Sequence, residues 1–179
     1  METIKNIINN YFDRDFFWKH YENGSPKLID IYKRSDKFEQ ENPDLVKKIL
    51  DKFNNDFPQY QIKRFRPFIK EDRGINFEVR IGASEVYVIW VSIFNFFLAW
   101  KLGNEIPFSS KTYIEQGESH IIDCIYTMVV IPFIDVEWLP REIAYKEIEE
   151  FNGANYSGYL EDDEIFNEPI FIVDTLART

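Results

Sequence analysis

The chain has 179 residues, 45% of them hydrophobic and 17% aromatic, which is too apolar for a disordered chain and long enough to bury a core. Its formal charge of −10 disfavours nucleic acid and anionic membranes as partners. A single cysteine, Cys124, excludes an internal disulfide and any multi-cysteine metal site.

The charge is unevenly spread. Residues 1–80 hold 16 Lys and Arg against 14 Asp and Glu, whereas residues 81–179 hold 5 against 17. The second half therefore repels phosphate and attracts basic surfaces, although the same balance also keeps an aromatic-rich protein dissolved. The opening METIKNIINNYF lacks the continuous apolar run of a secretory leader. The most apolar window, Val86 to Trp100, is 15 residues broken by Ser92 and Asn95, short of the about 20 that a membrane-crossing helix needs. These features predict a cytoplasmic protein with no membrane partner.

In chain order, Glu2 to Asn10 places Ile4, Ile7, Ile8, Tyr11 and Phe12 at helical spacing, and the pattern can continue through Phe16, Phe17 and Trp18. Asn23-Gly24-Ser25-Pro26 breaks it, and Leu28 to Tyr32 resumes as helix. Asn42-Pro43-Asp44 is the clearest helix start, with Asn42 as cap and a stripe of Leu45, Val46, Ile49, Leu50 and Phe53 behind it. The period then drops to two. Gln59 to Ile69 reads as extended, with Lys63, Arg64 and Arg66 suited to an exposed edge. Ile75, Phe77, Val79 and Ile81 alternate with Asn76, Glu78 and Arg80, which predicts a strand with one wet face.

Gly82-Ala83-Ser84 turns the chain into Val86 to Val91, a strand apolar on both faces that needs cover on each side. Ile93 to Trp100 fits either another strand or a short buried helix. Ile121 to Ile131 reads as a second apolar strand, ending at Pro132. Leu139-Pro140-Arg141-Glu142 opens a helix that buries Ile143, Ala144, Ile148 and Phe151 and stops at Asn152-Gly153. Ile170 to Val173 closes as a short strand. The order predicts one α+β domain over residues 1–179: N-terminal helices, then a mostly antiparallel sheet of about five strands with one late helix packed on it.

Few groups invite chemistry. There are two histidines, His20 and His120, so three-histidine metal sites are excluded. Glu118, His120, Asp123 and Cys124 form a local cluster, but on a strand the Cα atoms of His120 and Cys124 lie about 13 Å apart. That separation argues against a Cys–His couple and for Cys124 as a small buried hydrophobe. Asp135 and Glu137, with Trp138 beside them, form a carboxylate pair of the kind used on glycosidic bonds, and equally a polar linker ahead of a helix.

Glu161, Asp162, Asp163 and Glu164 form an uninterrupted acidic run that calls for a basic partner or for solvent. Tyr156 and Tyr159 precede it and suit a docking surface. The run lacks the spacing of a calcium loop, no glycine-rich phosphate loop is present, and Lys63-Arg64-Phe65-Arg66 is short and followed by acids. No metal, cofactor or nucleic acid is expected, and no family is legible in these residues.

The functional expectation is a protein-binding module, an acidic inhibitor of the immunity type that covers a basic toxin or nuclease, anchored by Tyr156, Tyr159 and Trp138. The rivals are a small hydrolase using His120 or the Asp135–Glu137 pair, recognisable by a pocket gathering them, and a subunit of a homo-oligomer.

Overall fold

A computed structural model describes residues 2–12, 26–64, 73–82, 85–103, 111–146, 148 and 172. Three helices come first: α1 (Glu2–Tyr11), α2 (Pro26–Glu41) and α3 (Leu45–Asp56). Each buries a stripe at three- and four-residue spacing: Ile4 and Ile8 in α1, Ile31, Ser35 and Phe38 in α2, Leu45, Ile49 and Phe53 in α3. Asn42 does not cap α3. Its side-chain amide donates to the Phe38 carbonyl (2.9 Å), satisfying the end of α2, and Asp44 enters α3 in the left-handed region at φ 60° without a side-chain cap.

The sheet follows: β1 (Gln61–Arg64), β2 (Gly74–Ile81), β3 (Glu85–Ser92), β4 (Phe96–Leu102) and β5 (Lys111–Tyr113), adjacent in that order and antiparallel throughout. The ambiguous stretch 93–100 is a turn and then β4. Asn95 takes the positive φ (64°) that the turn requires, and Ser92 Oγ accepts from the Phe94 amide (3.2 Å). A two-residue strand, β6 (Glu137–Trp138), pairs with the first half of β4 in parallel, while β5 takes the second half. One edge of β4 thus carries two short neighbours end to end.

Cross-strand register puts Phe77, Val79, Ile89, Val91, Phe97 and Ala99 on one face and Asn76, Glu78, Val88, Trp90, Leu98 and Trp100 on the other. Both faces are buried, as the doubly apolar β3 requires. The expected wet face of β2 is therefore absent: Asn76 and Glu78 are 1% and 5% exposed. Glu78 keeps its charge company inside, with Arg80 Nε at 2.5 Å and Lys63 Nζ, directly across the strand pair, at 3.2 Å.

The segment expected as a second apolar strand is a helix. α4 (His120–Cys124) continues without a break into a π-helical stretch, Ile125–Val130, closed by the Ile131 amide on the Tyr126 carbonyl (3.0 Å). Its buried residues, Ile122, Ile125, Val129 and Val130, lie at helical spacing, and a short apolar run fits either period until it has neighbours. Thr127 donates its hydroxyl to the Asp123 carbonyl (2.8 Å), competing with the regular helix ladder where the turn widens. The helix lies on the Phe97 face of the sheet, with Tyr126 and Phe97 ring centres 5.0 Å apart, and α3 packs against it and against β1.

The late helix α5 spans Arg141–Ala144 among the described residues. Ala144 and Ile148 are buried, as expected, whereas Phe151 and Asn152-Gly153 lie outside the described residues. So does the strand expected at Ile170–Val173, except for Ile172. That residue is buried, helical rather than extended, and donates its amide to the Lys146 carbonyl (3.0 Å). No helix among the described residues is long and apolar enough to cross a membrane.

Candidate functional site

The turn between β3 and β4, helices α1 and α2, and the segment 135–143 enclose a cleft of about 510 Å³. Its walls are apolar, with Ile4 and Ile7 from α1, Phe94 and Phe96 from the turn, and Leu139 and Ile143 from the segment around α5. Three charged groups line it as well: Arg34, Asp135 and Glu137. That is the composition of a small-ligand or peptide site, mostly apolar with few polar groups.

Buried aromatic contacts place the segment 135–139. Trp138 packs between Phe97 (ring centres 4.8 Å) and Tyr126 (5.2 Å), and its indole N–H donates to the Ile114 carbonyl at 3.2 Å. Tyr126 Oη donates to the Val136 carbonyl (2.9 Å), and Tyr113 Oη to the Leu139 carbonyl (2.5 Å). The Glu137 and Leu139 amides pair with the Asn95 and Phe97 carbonyls, each at 3.0 Å. The backbone is therefore held from both sides, while the Asp135 and Glu137 side chains stay exposed. Neither carboxylate makes an ion pair or hydrogen bond among the described residues. Trp138, at 8% exposure, forms cleft floor rather than a projecting anchor.

Burial raises the Tyr113 hydroxyl well above the ordinary tyrosine value of 10.0, with the neighbouring Tyr145 and Glu115 adding to the effect. The folded protein thus holds a proton that the unfolded chain releases above about pH 10, so this group lowers stability only as pH rises beyond that point. We expect chemical-denaturation stability to fall above pH 10 by up to about 1.4 kcal/mol per pH unit from this residue. The Tyr113→Phe variant should lack that component of the slope. An unchanged alkaline slope in the variant would remove Tyr113 as the cause.

Arg34 lines the same cleft as the carboxylates without pairing to them. Its Nε donates to the Ile93 carbonyl (2.9 Å), and its guanidinium carbon stands 5.7 Å from the Tyr11 ring centre and 5.2 Å from that of Phe94. These contacts hold the guanidinium while leaving its two terminal nitrogens without a partner among the described residues.

The second candidate cluster is rearranged by the helix. With His120 and Cys124 one turn apart on α4 rather than four residues along a strand, Cys124 Sγ lies 3.7 Å from His120 Nε2. The pair is nevertheless outside the cleft, whose lining includes Asp135 and Glu137 but not His120. Glu118 is tied elsewhere. It accepts from the Glu115 amide (2.9 Å) and from Arg141 (2.5 Å), and these two contacts, in that order, hold its carboxyl below the ordinary value. Asp123 accepts from the Gly117 amide (3.0 Å). Among the described residues no group of three His, Cys, Asp or Glu side chains is placed to hold a metal ion.

Tyr156, Tyr159 and the run Glu161, Asp162, Asp163 and Glu164 lie outside the described residues. Sequence reasoning overlooked Arg34, whose signal was weak: one cation in the mixed-charge run of α2, distinguishable only once it is seen against the paired rings of Tyr11 and Phe94. No protein-family model, curated protein or solved structure matches this chain.

Proposed function

We propose that this chain is a protein-binding module of the acidic, inhibitor or immunity type, which covers a basic partner. The observation that carries the reading is the pair of exposed carboxylates, Asp135 and Glu137, fixed at an apolar cleft and making no ion pair among the described residues. Such a rim attracts a partner's Lys or Arg while the apolar wall takes an adjoining side chain. The net acidity of the second half supports it, because acidic charge attracts a basic protein at long range. A hydrolase site joining His120 to the carboxylate pair receives less support, because the cleft that Asp135 and Glu137 line does not include His120.

The test is affinity capture from the native cell with the intact protein and two charge variants. One is Asp135→Lys with Glu137→Lys, and the other changes Glu161, Asp162, Asp163 and Glu164 to Ala. A stoichiometric basic partner is expected, with the lysine variant associating about 10- to 100-fold more slowly at low salt. High salt should narrow that difference. A partner that binds both variants like the parent, or a chain that binds only itself, would overturn the reading.

A further inference from the structure

We infer that the cleft is a binding site for a short zwitterion with an apolar body, of the size of a dipeptide, whose carboxylate meets Arg34 and whose ammonium meets Asp135 and Glu137. This goes beyond the partner reading and does not depend on it. The carrying observation is charge of both signs lining one cleft and forming no ion pair among the described residues. Arg34, Asp135 and Glu137 all line the same cleft, and no ion pair joins them. Flexible surface charges this close normally settle against each other or drift into solvent. Here neither happens to Arg34, because Nε is held by the Ile93 carbonyl and the plane of the group by Tyr11 and Phe94.

A guanidinium fixed by Nε and by two rings presents its terminal N–H groups as a preorganised fork, the geometry that binds a carboxylate in bidentate fashion. Asp135 and Glu137 supply acceptors only, since ionised carboxylates cannot donate, and an ammonium with three donors matches the two of them. Between the charged ends the cleft is lined by Ile4, Ile7, Phe96 and Leu139, which select an apolar body. The volume of about 510 Å³ is in the range of small-ligand sites. If compact it is about 10 Å across, room for two residues at ~3.5 Å each with their side chains. A ligand of one sign alone would leave either Arg34 or the carboxylates desolvated and unmatched.

The experiment is an amide and indole NMR titration of the intact protein with the free apolar amino acids and with the dipeptides made from them. At least one dipeptide should give saturable shifts at the Trp138 indole and the Asn95 amide, with Kd below about 1 mM. Blocking its N-terminus by acetylation, or its C-terminus as the amide, should each weaken binding about ten-fold or more. Arg34→Gln should bind the free and amidated dipeptide equally, and Asp135→Asn with Glu137→Gln should bind the free and acetylated forms equally. The second variant alters only exposed, unpaired groups, so it tests the site even if Arg34→Gln fails to fold. No saturable shift from any panel member up to about 10 mM, or equal binding of the blocked forms to the parent protein, would overturn the inference.

Discussion

Replacing Gly74 by alanine is expected to cost about 3 kcal/mol of folding stability, and to lower Tm by roughly 10 °C in a chain of this length. A Cβ at this position would stand 2.3 Å from Trp90 Nε1 and 2.5 Å from the Val91 carbonyl oxygen. One obstacle is a ring buried in the sheet face and the other is backbone in the strand-pair register, so neither gives way at low cost. The flanks are pinned as well. Arg73, immediately before, already occupies the left-handed region at φ 54°, with its carbonyl accepting from the Ile93 amide (2.9 Å). Gly74 itself pairs with Ser92. Adding Trp90→Phe should recover part of the loss, because it removes the nearer obstacle and leaves the carbonyl clash. Urea denaturation of the three variants gives the coupling directly. A Gly74→Ala protein melting within 2–3 °C of the parent would show that β2 and β3 can separate there, contrary to the account of the sheet.

Phe97→Ala should be the most damaging of the aromatic truncations, at about 3–5 kcal/mol. Phe97 is fully buried in β4 and forms a three-ring cluster with Tyr126 and Trp138. Its loss removes the contact that seats the π-helical stretch on the sheet, and with it the floor beneath Asp135 and Glu137. Total stabilities of small domains are about 5–15 kcal/mol, so the variant stands near the edge of folding. Phe97→Leu keeps most of the volume and should cost about 1.5 kcal/mol or less. Near-UV circular dichroism read beside the far-UV signal separates two consequences, because the packing of Tyr126 and Trp138 can be lost while the secondary structure persists. If Phe97→Ala retained both stability and the near-UV signal, the aromatic cluster would not be what holds the cleft segment in place.

These two residues show where sequence reasoning reached and where it stopped. Phe97 was legible as apolar and its run as buried, but 93–100 suited either a strand or a helix, since a short apolar run satisfies both periods. Gly74 carried no sequence signal, because nothing in the chain announces that a tryptophan sixteen residues later will lie against it. The strand expected at Ile121–Ile131 failed for the same reason as the ambiguity at 93–100. There the misreading also set the Cα atoms of His120 and Cys124 about 13 Å apart, whereas a single helical turn brings the side chains within 3.7 Å of each other. Asn76 and Glu78 were assigned to water by alternation alone, a rule that holds for a sheet with one exposed face and not for one covered on both.

What the sequence alone determined was local and compositional. The three N-terminal helices, the extended segments expected from Gln59 through Val91 and the acidic bias of the second half all follow from neighbours a few residues apart. Tertiary structure alone decided which faces are dry, which of two periods an apolar run obeys, and which charges meet. Arg34 comes from the N-terminal helices and Asp135 and Glu137 from a hundred residues further on, and they line one cleft because β6 pairs with β4 beside the turn that α1 and α2 pack against. Burial and charge proximity depend on contacts distant in the chain, and no window of sequence contains them.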